Sequence, residues 1–260
     1  MAVTVKTIIV CLMAGLGAGL GTGFAGLSAA AVISPVLVTF LGVDAYMAVG
    51  IALASDVLAS ASSAVTYKRK GNLDVKNGFA MMIAVMLFTV VGSFAAKHIS
   101  GNAMGNTSVI ATTFIGLRFL LKPVMKTRED MLSEDPKARL IKSVFAGVMV
   151  GFICGFVGAG GGMMMLFVLT SIVGYELKTA VGTSTFIMAF TAFTGAVSHF
   201  AIKGEKPDLL ILSLCVLFTL VFAKAGALIA NKVSNIILNR IVGGILVIMG
   251  IVLMAVRFMG

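Results

Sequence analysis

Three adjacent hydroxyls and a run of glycines are the residues of this sequence best suited to hold a small anion. The glycines run from Gly155 to Gly162, and backbone N–H groups exposed by glycine can cradle an anion. The hydroxyls of Thr183, Ser184 and Thr185 could donate hydrogen bonds to the same ligand. The glycine run lacks the Lys-Ser or Lys-Thr ending of a phosphate-binding loop, so a nucleotide site is not expected.

Both features also have a structural interpretation. Small residues let membrane helices approach each other closely, and a hydroxyl in such a helix often bonds to the carbonyl of the preceding turn. Three consecutive hydroxyls cannot share one helix face, so at least one should face another helix or a cavity. The predicted substrate-binding residues are Gly23, Gly26, Ser28, Gly158, Gly160, Gly161, Gly162, Thr183, Ser184, Thr185 and Lys224.

Two charged residues fall inside apolar segments, where a charge is costly. Asp56 and Lys224 could form a structural ion pair, or Asp56 could carry a coupling proton while Lys224 favours an anion. Nothing resembles a Ser-His-Asp triad, a zinc-ligand set or a catalytic carboxylate pair. We therefore predict no catalytic residues, no metal and no cofactor.

The composition places the chain among membrane proteins. Of its 260 residues, 59% are hydrophobic and only 12% are charged, more apolar and less charged than soluble domains. The excess of Lys and Arg lies in breaks between apolar runs, which indicates membrane topology signals and not nucleic-acid binding. The three cysteines lie within apolar runs and are expected to be small buried hydrophobes.

About eight apolar segments follow one another with no stretch long enough for a soluble domain. We predict an all-α membrane protein with a first transmembrane repeat at residues 1–121, a hydrophilic loop at 122–142 and a second repeat at 143–260. The segments are Thr7–Leu41, Tyr46–Thr66, Phe79–Ala96, Ala103–Leu121, Ile141–Val173, Ala180–Phe200, Leu209–Ala230 and Ile236–Phe258.

An internal duplication is the most informative feature of the sequence. A shift of 132 residues aligns Gly19 with Gly151, Gly42 with Gly174, and the surrounding apolar residues, without a gap. Such a register over some fifty residues predicts two homologous four-segment units. The hydroxyl motif is not duplicated, because its partners are the apolar residues 51–53, so the site should be asymmetric.

The first segment of each unit is too long for one straight crossing. As a single helix, Thr7–Leu41 would reach about 52 Å against a bilayer core of about 30 Å. Its central glycines predict a broken or hairpin-like helix, with non-helical backbone lining a cavity. If each long segment crosses once, the repeats are parallel and both termini are cytoplasmic. If each is a hairpin, the repeats are inverted and the termini are outside.

The motif Gly151-Phe152-x-x-Gly155-x-x-Gly158-x-Gly160-Gly161-Gly162, followed by Gly174-Tyr175-Glu176-x-x-x-Ala180-Val181-Gly182-Thr183-Ser184, resembles the signature of the TauE/SafE sulfite exporter family. A degenerate copy in the first repeat, Gly19-x-x-x-Gly23-x-x-Gly26, resembles that family's first half. The chain departs from it where Leu27-Ser28-Ala29-Ala30 replaces a glycine run and Ile51-Ala52 replaces Thr-Ser.

The resemblance implies a multi-pass protein of the cell inner (plasma) membrane that exports a small sulfur-containing or organic anion, such as sulfite, sulfoacetate or another sulfonate. We expect alternating access between the repeats, with Asp56 as the candidate for proton coupling. The alternatives are a passive anion channel and a structural or sensory membrane protein without transport. The expected partners are the anion and the lipid bilayer, without nucleic acid, and the chain could form a homodimer.

Overall fold

The computed structural model describes residues 5–96, 110, 113–157, 161–203 and 207–259, and nearly all of them are helical. No β-strand occurs within these ranges, so the predicted all-α class is confirmed. In chain order the helices are α1 (Val5–Ala25), α2 (Ala30–Leu41), α3 (Ala45–Arg69), α4 (Val75–Ala96), α5 (residues 113–121), α6 (Arg128–Leu132), α7 (Pro136–Val157), α8 (Gly161–Val168), extended by a π-helical turn (Leu169–Val173), α9 (Leu177–Lys203), α10 (Leu209–Lys232) and α11 (Asn235–Met259).

Six helices of the described chain are long and apolar enough to cross a bilayer. They are α1, α3, α4, α9, α10 and α11. Two shorter apolar helices, α2 and the helix formed by α8 with its π-helical turn, lie between them in the chain. The chain is therefore a membrane protein with several helices long and apolar enough to span a bilayer, as its composition predicts.

The first long apolar segment is broken, and the break follows its glycine-rich half. Helix α1 ends at Ala25, and Gly26 adopts a left-handed backbone with a φ of 61°. The N–H of Gly26 donates to the carbonyl of Thr22, which is the bond of the αL motif at a helix C-terminus, and the N–H of Leu27 donates to the carbonyl of Gly21. Helix α2 then folds back along α1, since a Cβ at Gly17 would lie 3.2 Å from Val32 Cγ1.

The second long segment is also interrupted. Helix α7 ends at Val157 and α8 begins at Gly161. The segment ends at Gly174, whose φ of 80° matches the left-handed backbone of Gly42 at the end of α2. Both long segments are thus two helices each, and the hairpin-like shape predicted for the first is observed.

The glycines of α1 serve close packing, and they do not break the helix. A Cβ at Gly15 would lie 2.5 Å from Phe218 Cβ, and one at Gly19 would lie 2.6 Å from the carbonyl oxygen of Thr219. This stripe of small residues lets α1 contact the backbone of α10. Gly26, the last glycine of the predicted glycine-rich stretch, is the one at which the helix ends, so the predicted break is observed at the C-terminal end of that stretch.

A second stripe of glycines lies on α7 and packs against α4 in the same way. Cβ atoms at Gly147 and Gly151 of α7 would lie 2.7 and 2.6 Å from the carbonyl oxygens of Met81 and Val85 on α4. In the α7–α4 pair and in the α1–α10 pair, later residues of one helix contact later residues of the other. Helix α7 therefore runs parallel to α4, and α1 runs parallel to α10.

Helices α3 and α9 cross the centre of the molecule in opposite directions. Tyr46 at the start of α3 stacks on His199 near the end of α9, with ring centroids 3.8 Å apart. At the other end, Gly182 near the start of α9 contacts Tyr67 near the end of α3. This antiparallel pair carries most of the polar residues of the candidate site.

Candidate functional site

The predicted hydroxyl motif lies on α9, and all three of its side chains are fully buried. Ser184 Oγ donates to the carbonyl of Val181 at 2.9 Å, and Thr185 Oγ1 donates to that of Gly182 at 2.9 Å. Thr183 Oγ1 instead accepts a hydrogen bond of 3.2 Å from the backbone N–H of Asp74 at the start of α4. The motif therefore bonds locally and also reaches a second helix.

The break after α1 lies directly against this motif. A Cβ added at Gly26 would overlap Ser184 Oγ, and the positive φ of Gly26 also disfavours any other residue. The broken segment of the first half of the chain thus meets the hydroxyl motif of the second half. This contact unites two features that lie far apart in the sequence.

Asp56 lies on α3 beside the start of α2 and is 1% exposed. Its Oδ2 accepts from Ser28 Oγ at 2.8 Å, its Oδ1 accepts from Ser60 Oγ at 2.8 Å, and the backbone N–H of Ala29 faces the same carboxylate. The N-terminus of a helix carries a partial positive charge, which stabilises an anion placed there. The carboxylate of Asp56 therefore fills the anion position at the start of α2.

The backbone donors of the first break are largely used by the protein itself. Besides the bonds of Gly26 and Leu27 to α1, the N–H of Ala30 donates to Ser28 Oγ at 3.3 Å. Gly23 lies inside α1 against Ala223, and its carbonyl accepts from Tyr67 Oη at 2.9 Å. We predicted that this break exposes free N–H groups to a substrate, but the N–H of Gly26 is already bonded within the protein.

The glycines predicted in the second break lie partly outside the described residues. Gly158 and Gly160 fall there, whereas Gly161 and Gly162 form the first two positions of α8. They are thus at the N-terminus of the helix that follows the second break. By the internal duplication, Gly160 corresponds to Ser28, and Asp56 corresponds to Met188 on α9.

The expected burial of Lys224 is wrong. The residue lies exposed on α10, about 100° around the helix from Ala223, which packs against Gly23. Lys224 forms no ion pair with Asp56, although the structure describes both side chains. Packing of α1 on α10 fixes which face of α10 is buried, and Lys224 falls on the other face.

A polar network near the start of α9 was not predicted from the sequence. Tyr175 Oη donates to Asp74 Oδ2 at 2.9 Å, and Asn77 Nδ2 donates to the same oxygen at 2.7 Å. Burial raises the pKa of Tyr175, which keeps its phenol protonated as the donor. Asn72 Nδ2 donates to Asn231 Oδ1 at 2.7 Å, which ties the α3–α4 connection to the end of α10.

The described cysteines and acidic residues are possible metal ligands by their side-chain chemistry. Cys11 and Cys215 are fully buried, as predicted, and Cys154 is half-buried. Across the described part of the chain, no group of three His, Cys, Asp or Glu residues could hold a metal ion.

Comparisons with known proteins point to one family. A sequence model of the family described as "Sulfite exporter TauE/SafE" matches residues 11–253. The probable membrane transporter protein YunE of Bacillus subtilis is 27% identical over 245 residues, which cover 89% of each chain. The probable membrane transporter protein MJ0441 of Methanocaldococcus jannaschii is 22% identical and covers 90% of this chain and 87% of its own. No solved structure matches the chain.

Proposed function

The chain belongs to the TauE/SafE sulfite exporter family, and from that premise we propose that this membrane transporter is a secondary exporter of a small anion. The substrate class is sulfite, sulfoacetate or another sulfonate. Its location is the cell inner (plasma) membrane. The observation that carries the proposal is the contact of Gly26 with Ser184, because it joins a helix break to buried hydroxyl donors at the centre of the molecule.

A two-repeat organisation is part of the proposal. Gly42 and Gly174, both with left-handed backbone, lie 132 residues apart, and α3 and α9 each begin three residues after them. The duplication relates α1 to α7 and α4 to α10, and α1 packs on α10 as α7 packs on α4. These correspondences support halves at residues 1–121 and 143–260, joined by the loop at 122–142.

The helix directions favour inverted repeats over parallel ones. Helix α3 corresponds to α9 under the duplication, and the two run antiparallel. A hairpin of α1 and α2 gives each half an odd number of passes, which is what an inverted arrangement requires. Lys68, Arg69 and Lys70 then share one side with the 122–142 loop, and the positive-inside rule makes that side cytoplasmic. Both termini are then outside.

In this mechanism the two halves expose a central site to each side of the membrane in turn. The hydroxyl of Thr183 would donate to the anion, and those of Ser184 and Thr185 would do so by rotating away from the carbonyls of Val181 and Gly182. Gly161 and Gly162 start a helix whose positive end would face an anion. Asp56 is the candidate for proton coupling. Its carboxylate holds the start of α2, and a proton would weaken that hold because a neutral acid interacts less with a helix N-terminus.

The test is a flux assay with the purified full-length protein in liposomes. We expect saturable movement of sulfite or sulfoacetate, counterflow, and a dependence of the rate on a pH gradient. Flux that does not saturate and shows no counterflow would make the protein a passive channel. Absence of flux for every sulfite and sulfonate tested would overturn the proposal.

A further inference from the structure

A cavity of about 460 Å³ opens at the end of the bundle where the α3–α4 connection meets α6 and α7. It lies on the side of the basic loops, remote from the Asp56 cluster on α3. The lining residues that matter for its chemistry are Asp74, Lys76, Asn77, Arg128, Arg139 and Thr179. None of the three cations among them was predicted as a site residue.

Arg139 is the buried cation of this cavity, with 7% of its surface exposed. Its Nη2 donates to the backbone carbonyls of Met131 and Glu134, which fixes the guanidinium beneath α6. Its Nε is buried and has no hydrogen-bond partner. One N–H of this buried charged group lacks an acceptor, and an oxyanion bound in the cavity would stabilise the charge of the guanidinium.

The charge of the cavity favours an anion. Lys76 and Arg128 are exposed, and Asp74 is the only carboxylate in the lining. Both oxygens of Asp74 already accept hydrogen bonds, from Tyr175 and from Asn77. Within the lining, three cations therefore face one carboxylate that is committed to neutral donors, while Glu134, which also interacts with Arg139, lies outside the lining and pairs with Lys142.

The cavity adjoins the hydroxyl motif. Thr179 lines it and lies one helical turn before Thr183 on α9. The N–H of Asp74, another lining residue, donates to Thr183 Oγ1. An anion in the cavity is thus separated from the buried hydroxyls by about one turn of α9.

We propose that this cavity is a cytoplasmic vestibule that binds the transported oxyanion before it reaches Thr183 and Ser184. The guanidinium of Arg139 supplies the buried positive charge, and Lys76 and Arg128 attract the anion from solution. The inference rests on the proposed function for its substrate class, a sulfite or sulfonate, and on the basic-loop side for its orientation.

The experiment compares the wild type with the Lys76→Gln/Arg128→Gln double variant. The matched control is Lys137→Gln, which removes an exposed cation two residues from Arg139 that does not line the cavity. Binding of sulfite and of sulfoacetate to the solubilised full-length protein is measured by calorimetry at two salt concentrations. Flux is measured with the anion supplied on either side of the membrane.

We expect the double variant to bind the anion about three- to tenfold more weakly than the control and to lose much of the salt dependence. The half-saturating concentration should rise only when the anion is supplied from the side of the basic loops. Arg139→Gln, checked for folding by its unfolding temperature, should weaken binding further, and Arg139→Lys should restore part of it.

Equal affinity and equal salt dependence in the double variant and the control would overturn the vestibule while leaving transport intact. Weaker binding in the double variant without flux in the wild type would support the vestibule and contradict the proposed transport. A wild type that binds neither anion would overturn the vestibule.

Discussion

Ser184 and Thr183 are the single residues on which the transport proposal depends most. Both are buried on α9, Ser184 against Gly26 and Thr183 against the start of α4. We expect Thr183→Val/Ser184→Ala to lower the anion flux at least tenfold, because both hydroxyls proposed to bind the charged ligand are removed. Thr194→Val on the exposed face of the same helix is the control and should keep wild-type flux. Unchanged flux in the double variant would remove the motif from the site.

Asp56 carries a separate prediction at the same scale. Its carboxylate accepts from Ser28 and Ser60, and an asparagine has no charge and only one acceptor oxygen. We expect Asp56→Asn to abolish the response of the flux to a pH gradient while substrate binding persists. Glu129→Gln, which neutralises an exposed carboxylate on α6, should leave the response unchanged. A pH response retained by Asp56→Asn would assign proton coupling to another residue.

At the scale of elements, the turn between α1 and α2 explains why a glycine stands at position 26. The positive φ there and the contact with Ser184 each disfavour a side chain, and the chain offers controls that separate the two effects. Gly42 has a φ of 63° but an open surrounding, and Gly244 lies within α11 with nothing within 4 Å of a Cβ.

These glycines define a graded stability prediction. Gly42→Ala should lower the free energy of unfolding by about 1–2 kcal/mol from backbone strain alone. Gly26→Ala should lower it by about 2–4 kcal/mol, because overpacking against Ser184 adds to the strain. Gly244→Ala should raise it by about 0.5–1 kcal/mol, since alanine favours a helix. Thermal unfolding in detergent measures the relative stabilities of the three variants. Equal destabilisation by Gly26→Ala and Gly42→Ala would contradict a tight contact of Gly26 with α9.

The packing of α1 on α10 is a second lesson at this scale. Glycine stripes were interpreted as breaks, substrate donors or packing surfaces, and in α1 they are packing surfaces. Glycines spaced four residues apart lie on one face of a helix. The break instead requires a glycine with a left-handed backbone, after which the chain turns back along α1. The spacing of Gly15, Gly19 and Gly23 already carried this signal.

At the scale of the whole molecule, the proposed inverted repeats would place the proposed vestibule and the basic loops on the cytoplasmic side. Lys137, at the start of α7, and Leu209, at the start of α10, are both exposed and lie at opposite ends of the bundle. In intact cells we expect a membrane-impermeant maleimide to label Leu209→Cys. Lys137→Cys should be labelled only after permeabilisation.

The background for this labelling is favourable, because two native cysteines are fully buried and the unmodified chain serves as the blank. If Lys137→Cys is labelled in intact cells and Leu209→Cys is protected, the orientation in the membrane is the opposite of the one proposed. Labelling of both from outside would contradict the antiparallel relation of the two halves.

The sequence by itself determined the membrane class, the family and the approximate position of most apolar helices. These depend on local properties: apolar length sets the spans, and Gly26, Gly42 and Gly174 end helices because only glycine adopts a left-handed backbone at low cost. The family motif likewise located the hydroxyls of α9, although sequence alone left open whether they bonded locally or faced another helix.

Only the tertiary structure decided which side of each helix is buried and what each polar group contacts. Asp56 meets Ser28, and Arg139 lies beneath α6 without an acceptor for its Nε, because packing brings separate helices together. Lys224 is exposed for the same reason, since its place on α10 is fixed by where α1 packs. The rotation and direction of packed helices depend on contacts between residues that are distant in the chain, such as Gly19 with Thr219, and no local pattern encodes them.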